Sequence, residues 1–321
     1  MLNFIINRMM TLAISLVVAS LVIFTCIELI PGDPALFMLG LNAAPDTVAA
    51  LRTDLGLDGS PIHRYFRWVT GMIHGDFGRS YTYQVPVADL MLARLGVSLP
   101  LTLMALVLTV VIALPTGMLA ASKRNKPADW GVMTATQLGI AIPNFWFAMI
   151  LVLVFAIHLN WFSAGGFPGW DQGIWVNVSA LILPALALAL PQASILARVM
   201  RSAMIDVLGQ DYIRTARAKG MTERQVIIRH GMRNALIPVV TILGLQFSFL
   251  IAGAIIIENV FFLPGLGRLV FQAITQRDLI VVESVVMVLV FSVIMVTFVV
   301  DIAYAWIDPR LRHRKADGDG S

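Results

Sequence analysis

The sequence predicts an all-α integral membrane protein with six transmembrane helices, and two observations lead to this fold class. First, 58% of the 321 residues are hydrophobic, only 13% are charged, and the mean hydropathy is +0.83. A soluble domain carries about 25% charged residues, so this composition excludes a large soluble protein. Second, six apolar stretches reach the roughly 20 residues that a spanning helix needs. They are 9–30, 97–122, 132–158, 179–200, 235–257 and 280–306.

The first apolar stretch, 9–30, has the position of a signal peptide but not its pattern. Only one basic residue, Arg8, precedes it, the apolar run is too long, and no cleavage site of small residues follows. We therefore expect it to remain as the first span.

Basic residues in the loops predict the orientation of the spans, because Lys and Arg accumulate on the cytoplasmic side. When both termini are placed on one side, that side holds sixteen Lys and Arg and the opposite side holds seven. Both termini, the tail 307–321 and the polar loop 201–234 are therefore predicted to be cytoplasmic. The loop 31–96 is predicted to be extracytoplasmic, and 97–306 forms a core of five spans.

The extracytoplasmic loop contains one amphipathic segment, 61–74. A helix there places apolar side chains on one stripe and charges opposite. The stripe consists of Ile62, Tyr65, Phe66, Val69, Met72 and Ile73. This pattern is typical of a helix in the membrane interface, and it fits equally a small subdomain packed on the spans.

Proline residues punctuate the predicted spans. A proline in a span removes a backbone donor and favours a kink, which neighbouring helices or a cavity can accommodate. The prolines concerned are Pro115, Pro143, Pro184 and Pro191.

The polar loop between the fourth and fifth spans has the pattern of two short helices. From Arg198 to Arg233 it carries eight basic and three acidic residues. Asp211 suits the N-cap of a helix over Tyr212–Lys219, and Gly220 suits a left-handed stop. Thr222 and Gln225 then form the capping box of a second helix. The loop is therefore predicted to be two helices that meet at a glycine elbow.

Helices this short are marginal in water, so something must hold them in place. One possibility is a partner protein; the other is packing on the chain's own membrane domain. Ala216, Ala218 and Gly220 at the elbow are small and would let another protein approach closely. The loop is therefore predicted to be a docking site, with these small residues as its approach surface.

The loop also resembles a known family. Tyr212 to Gly220 reads YIRTARAKG, Arg229-His230 follows, and Arg233 to Pro238 reads RNALIP. This string is similar to the cytoplasmic EAA loop of permease subunits of bacterial ABC importers, in the version found in dipeptide, oligopeptide, nickel and glutathione importers. Arg214 and Thr215 stand where the general pattern has Glu and Ala, a departure that is itself typical of this branch.

The resemblance extends over nearly the whole chain and favours the first, B-type permease of a pair. Its other landmarks occur in the family's order. They are Pro31-Gly32-Asp33-Pro34, Leu55-Gly56-Leu57-Asp58, Gly75-Asp76-Phe77-Gly78-Arg79-Ser80, Pro143-Asn144-Phe145-Trp146, Glu258, Pro264-Gly265-Leu266-Gly267, Arg277-Asp278, Asp301, Tyr304 and Asp308-Pro309-Arg310.

The resemblance implies a type I ABC importer permease fold in the bacterial inner membrane. The chain would form half of a translocation pathway for peptides or a similar small solute. Its partners would be a second, homologous C-type permease, two ATP-binding subunits and an extracytoplasmic solute-binding protein, with no nucleic acid. The chain itself would hold no cofactor, and Mg-ATP would bind the partner subunits. It would not be an enzyme.

The ATPase-coupling residues implied by the resemblance belong to the first helix of the polar loop and its glycine stop. They are Asp211, Tyr212, Arg214, Thr215, Ala216, Arg217, Ala218, Lys219 and Gly220. The chain lacks the GxxxxGK[ST] phosphate-binding loop, so hydrolysis would have to occur on another subunit.

Polar residues within and beside the spans supply two further sets of candidates. Asn144, Gln192, Gln246 and Ser248 either line the pathway or form interhelical contacts, which contribute only about 0.6 kcal/mol each. Glu258, Arg268, Arg277 and Asp278 are candidates for an outer loop or gate. Glu258 either pairs with one of the two arginines or meets substrate. The scattered histidines predict no metal site.

An ATP-independent secondary transporter or channel is the alternative function. Such proteins often contain inverted repeats and an ionisable residue at the midplane. No convincing repeat and no central acid are visible in this sequence. The identity of the cargo stays open between peptide, nickel, glutathione, opine-like compounds and sugars.

Overall fold

A computed structural model describes residues 2–30, 32–40 and 43–307. Within these residues the chain is helical, and its only β feature is an isolated bridge between Arg79 and Pro86. The α-helices are α1 Leu2–Glu28, α2 Pro34–Leu39, α3 Pro45–Asp54, α4 Pro61–Ile73, α5 Val87–Ser122, α6 Pro127–Ala141, α7 Asn144–Leu151, α8 Ile174–Leu208, α9 Asp211–Ala218, α10 Glu223–Gln225, α11 Met232–Val260, α12 Leu266–Gln276 and α13 Leu279–Ile307. The landmarks Pro31 and Asp308-Pro309-Arg310, and the tail beyond Ile307, lie outside the described residues.

Among the described residues, five long apolar helices have the length and composition to cross a membrane, and there are six spans if one bent pair of helices is counted as a span. The five are α1, α5, α8, α11 and α13, and each contains or overlaps a predicted span. Several are longer than predicted. The helix that corresponds to the fifth predicted span, 235–257, extends back through α10 to Glu223. The helix α5 begins at Val87, so the last part of the predicted loop 31–96 is helical.

The third predicted span, 132–158, is not one helix. α6 and α7 meet at Ile142 and Pro143 with a bend of 103°, and a π-helical segment Val152–His158 continues from α7. Pro143 is the N-cap of α7, where its missing N–H costs no helical hydrogen bond. The kink predicted at this proline is therefore a full break. Pro115, Pro184 and Pro191 lie inside helices that continue through them.

The chain forms two compact units. The first contains Leu99–Leu263 with the described parts of both chain ends, and the second contains Ile6–Ser98 and Pro264–Met295. In the first unit α8 is the central helix and packs against α6, α7 and α11. Small residues permit this packing: a Cβ added to Gly117 would lie 2.6 Å from the Ala197 carbonyl oxygen. Close backbone approach of this kind stabilises helix pairs in membranes.

The core of the second unit joins the start of α5 to α12 and α13. Val87, Leu269 and Val285 are fully buried in it. Ser98 ties the same elements together, because its hydroxyl accepts a hydrogen bond of 2.7 Å from the Leu266 backbone N–H. These contacts give the second unit an apolar centre of its own.

The predicted amphipathic helix is present as α4, but its apolar stripe divides into two edges. Tyr65 faces α1, where its ring packs against Phe24 and its hydroxyl lies 2.9 Å from the hydroxyl of Ser20. Ile62 and Phe66 are instead 72% and 60% exposed. One edge of α4 therefore packs on the protein, and the other leaves apolar surface for lipid or a partner.

Candidate functional site

The elbow between α8 and α11 is defined here as residues 209–234. α9 spans Asp211–Ala218, Lys219 is its C-cap, and Gly220 has φ +79°. This left-handed conformation favours glycine. Thr222 and Gln225 form the predicted capping box, with hydrogen bonds of 3.0 and 3.4 Å. The prediction of two helical segments that meet at a glycine is confirmed.

One detail of the predicted elbow is wrong. Asp211 is the first helical residue of α9, and the N-cap is Gln210, whose side chain makes no capping bond. Asp211 instead accepts a hydrogen bond of 3.2 Å from Arg214, three residues on. An acidic residue in the first turn still interacts favourably with the helix dipole.

The elbow has a small apolar core of its own. Ile213 and Val226 are fully buried and Ala216 is 6% exposed, and the three pack together. Ala216 therefore holds the two arms of the elbow to each other and is not part of an approach surface, which corrects the prediction. The pattern that places Ile213 and Ala216 on one face, three residues apart, was present in the sequence.

Two polar contacts brace the elbow. Arg217 donates to both carboxylate oxygens of Glu223, at 2.8 and 3.2 Å, across Gly220. Both side chains are substantially exposed, so the pair contributes at most about 1 kcal/mol. Asn234 donates a hydrogen bond of 2.7 Å to the Tyr212 hydroxyl and so connects α9 to α11. The predicted need for something to hold these helices is met within the chain.

The exposed face of the elbow is what remains for a partner. Tyr212 is 42% exposed, and the other predicted coupling residues that are exposed are Asp211, Arg214, Thr215, Arg217, Ala218, Lys219 and Gly220. A Cβ added to Gly220 would meet nothing within 4 Å. The apex at Gly220 is therefore open, and it carries no side chain of its own.

Replacing Tyr212 with phenylalanine is expected to loosen α9 without unfolding the membrane helices. The variant loses one hydrogen bond, which contributes about 0.5–1.5 kcal/mol. Hydrogen exchange should show faster exchange of α9 amides and unchanged exchange in α8. A matched control is Tyr83→Phe, in the outer loop, which should leave α9 unaffected. Unchanged exchange in α9 of Tyr212→Phe would contradict the role of this contact.

Another polar contact in the first unit, outside the elbow, was not predicted from the sequence. Asp129 at the start of α6 accepts two hydrogen bonds from Arg201 of α8, at 2.5 and 2.6 Å, and one of 3.0 Å from the Asn125 N–H. The Asp129 side chain is 4% exposed. This paired, bidentate arrangement connects α6 to the end of α8 that leads into the elbow.

The four candidate pathway residues separate into two groups. Gln246 is 2% exposed and donates a hydrogen bond of 2.8 Å to the Gln192 carbonyl oxygen, so these two form an interhelical contact between α11 and α8. Among the described residues, neither side-chain Oε1 has a hydrogen-bond partner. Asn144 at the break before α7 and Ser248 in α11 are half-buried. These two residues stay candidates for the pathway.

The residues predicted to belong to an outer loop or gate are also divided between the two units. Glu258 is fully buried near the end of α11 in the first unit. Arg268 in α12 and Arg277, which caps α12 with φ +55°, belong to the second. The pairing of Glu258 with either arginine stays a prediction.

Asp278 organises the loop of the second unit that contains Ser80 and Thr82. It is fully buried and accepts hydrogen bonds from the Ser80 hydroxyl at 2.5 Å and the Thr82 N–H at 3.0 Å. The segments GDFGRS and Arg277-Asp278, which the sequence showed only as separate landmarks, therefore meet in space. Asp278 acts here as an anchor of the loop.

Comparison with known proteins decides the family. A family model described as a binding-protein-dependent transport system inner membrane component matches residues 113–313, and a model of the N-terminal part of such membrane components matches residues 1–103. The chain belongs to this family. It is a permease subunit of an ATP-driven ABC importer and a multi-pass inner membrane protein. The family implies separate ATP-binding subunits, on which ATP is hydrolysed, and a substrate-binding protein.

Curated relatives match over almost their whole length. A putative peptide transport system permease protein of Brucella abortus (strain 2308) is 42% identical over 300 residues, which cover 93% of this chain and 95% of the relative. The glutathione transport system permease protein GsiC of Escherichia coli (strain K12) is 38% identical over 314 residues, which cover 98% of this chain and 100% of the relative. The ATP-independent alternative therefore finds no support.

A solved structure confirms the fold of the permease. The inward-facing MetNI methionine ABC transporter superposes with a TM-score of 0.56 at 19% identity, over 68% of this chain and 96% of the matched chain. At this identity the likeness supports the fold alone.

Proposed function

We propose that this permease forms half of the pathway for short peptides. The support is that one set of relatives is named for peptide transport and another for glutathione, which is itself a short peptide. Asn144 and Ser248, both half-buried, are the candidate pathway residues outside the contact between Gln246 and Gln192. Glu258, Arg268, Arg277 and Asp278 remain candidates for the outer gate.

The elbow is proposed to be the docking site for an ATP-binding subunit. The observation that carries this proposal is a self-supporting elbow with an open apex at Gly220. An elbow that is folded on its own can pass a movement of the ATP-binding subunit on to the membrane helices. Helices that needed the partner for folding would deform instead. The contact is proposed to involve Asp211, Tyr212, Arg214, Thr215, Arg217, Ala218, Lys219 and Gly220, with Ala216 supporting them from within.

The assembly is proposed to contain two ATP-binding subunits, which bind Mg-ATP, and a homologous C-type permease. The elbow and both termini would then be cytoplasmic, as the excess of Lys and Arg indicates. Closure of the ATP-binding subunits would favour one state of the permease through contacts that differ between states.

Reconstitution tests this function. The permease, its partner permease, the ATP-binding subunits and the solute-binding protein are placed in liposomes, and uptake of a labelled dipeptide is measured. We expect uptake only when ATP and the binding protein are both present. Uptake at the same rate without the ATP-binding subunits would contradict the proposal. Stimulated ATP hydrolysis without dipeptide uptake would contradict the peptide cargo alone.

A further inference from the structure

A cavity of about 440 Å³ with several charged residues in its lining lies within the second unit, which does not contain the elbow. Sites for small ligands typically measure about 300–1,000 Å³. The end of α1, the start of α13 and one side of α4 form its walls. None of the residues predicted from the sequence as site residues lines it.

The charges that line this cavity are only partly neutralised by one another. Arg64 pairs with Glu28, and Arg52 pairs with Asp33 at 2.8 Å. Glu283 is 8% exposed, and its Oε1 has no hydrogen-bond partner among the described residues. A buried carboxyl group without a partner is costly, so a ligand that brings a cation would stabilise it.

The cavity also presents groups that suit an anion. Arg67 lines it and takes part in no ion pair among the described residues; its Nη2 lies 3.4 Å from Nδ1 of His63. The indole Nε1 of Trp68, also in the lining, is likewise unpartnered within the described part of the chain. An arginine and an indole N–H are both donors to a phosphate or carboxylate.

Tyr81 also lines the cavity, and it lies near two carboxylates. Burial, followed by the nearby carboxylates of Asp278 and Glu283, raises the pKa of Tyr81 to about 12. The lining therefore contains both a carboxyl group that favours a cation and donors that favour an anion. A ligand that carries both charges fits this distribution.

Apolar side chains complete the lining and indicate where such a ligand comes from. Phe24 and Ile27 belong to the end of α1, and Leu279 and Ile280 to the start of α13. Both helices are membrane spans, so the cavity lies where apolar spans give way to polar loop. Lipid headgroups occupy this depth in a membrane.

We propose that this cavity binds a zwitterion with an ammonium group at Glu283 and a phosphate at Arg67, supplied by the headgroup of an ethanolamine phospholipid. The acyl chains would follow the apolar surface of α1, of which little is buried within the chain. The site is independent of the peptide pathway, so its failure would leave the proposed function untouched.

Native mass spectrometry of the purified permease tests this proposal. The full chain is reconstituted with a mixture of phosphatidylethanolamine and phosphatidylglycerol, and retained lipid is measured on release. We expect preferential retention of phosphatidylethanolamine, reduced about tenfold in Glu283→Gln, which keeps the side chain's shape. Arg67→Gln, at an exposed position, should reduce it as well. Asp171→Asn, an exposed acid in the first unit, is the matched control and should change nothing.

A second arm distinguishes the source of the zwitterion. Calorimetry with soluble phosphoethanolamine and with dialanine is expected to show weak or no binding, because neither supplies the apolar contacts. Equal retention of both lipids, or retention unchanged in both cavity variants, would overturn the proposal. Tight binding of a soluble zwitterion without a lipid preference would overturn the lipid source.

Discussion

Replacing Gly220 with valine is expected to abolish transport while membrane insertion stays normal. Gly220 has φ +79°, a conformation that costs a β-branched residue about 1–2 kcal/mol or more. A Cβ added at Gly220 would meet nothing in its own chain within 4 Å, so the new side chain is expected to project from the apex towards a partner. A loss of about 1–3 kcal/mol of coupling corresponds to a ~5–150-fold effect. The loss of coupling is measured by comparing cargo uptake with ATP hydrolysis in liposomes.

Two further variants separate backbone strain from lost contact. Gly220→Asn adds a side chain but tolerates the left-handed conformation, so it should still impair coupling if the apex is a contact surface. Gly209→Ala lies in the same loop at φ −80° with ordinary space for a Cβ, and it should transport normally. Full transport by both Gly220 variants, at normal expression, would refute the coupling role.

Replacing Asp129 with alanine is expected to give the second large effect, on stability. The change leaves Arg201 without the carboxylate that accepts its two hydrogen bonds. The Asp129 and Arg201 side chains are 4% and 24% exposed, so solvent replaces the lost partner only in part. Breaking a buried pair from one side costs about 3–5 kcal/mol, and partial exposure of Arg201 places the effect near the lower value. Thermal unfolding of the purified permease in detergent measures the loss.

The double variant Asp129→Leu with Arg201→Met is the control for this prediction. Removing both charges leaves no unpaired ion, so the loss of stability should be smaller than for Asp129→Ala alone. A double variant as unstable as the single one would show that packing at these positions, and not the ion pair, holds α6 to α8.

Much of the fold could be predicted because its cause is local. Apolar length fixes where helices can span a membrane, and the capping box at Thr222 and the left-handed Gly220 are determined by residues within a few positions. The break at Pro143 was foreseen as a kink only. Its 103° bend depends on how α6 and α7 each pack against α8, which no local pattern specifies.

The parts of the site that sequence reasoning missed depend on distant partners. Ser80 and Asp278 are separated by 198 positions, and Asp129 and Arg201 by 72. Nothing in either segment indicates its partner. Ala216 illustrates a different error: its small size suggested an approach surface, whereas its spacing from Ile213 pointed to the inner face.

Docking of an ATP-binding subunit on the exposed face of the elbow can be tested by labelling a single cysteine. Cys26 is the only cysteine in the chain, so a Cys26→Ser background permits a single label at Ala218→Cys. Maleimide labelling is compared with and without the bound ATP-binding subunits. We expect labelling of Ala218→Cys to be at least about tenfold slower in the complex, and labelling of Ser122→Cys, an exposed position at the end of α5, to be unchanged. Equal labelling of Ala218→Cys in both states would contradict it.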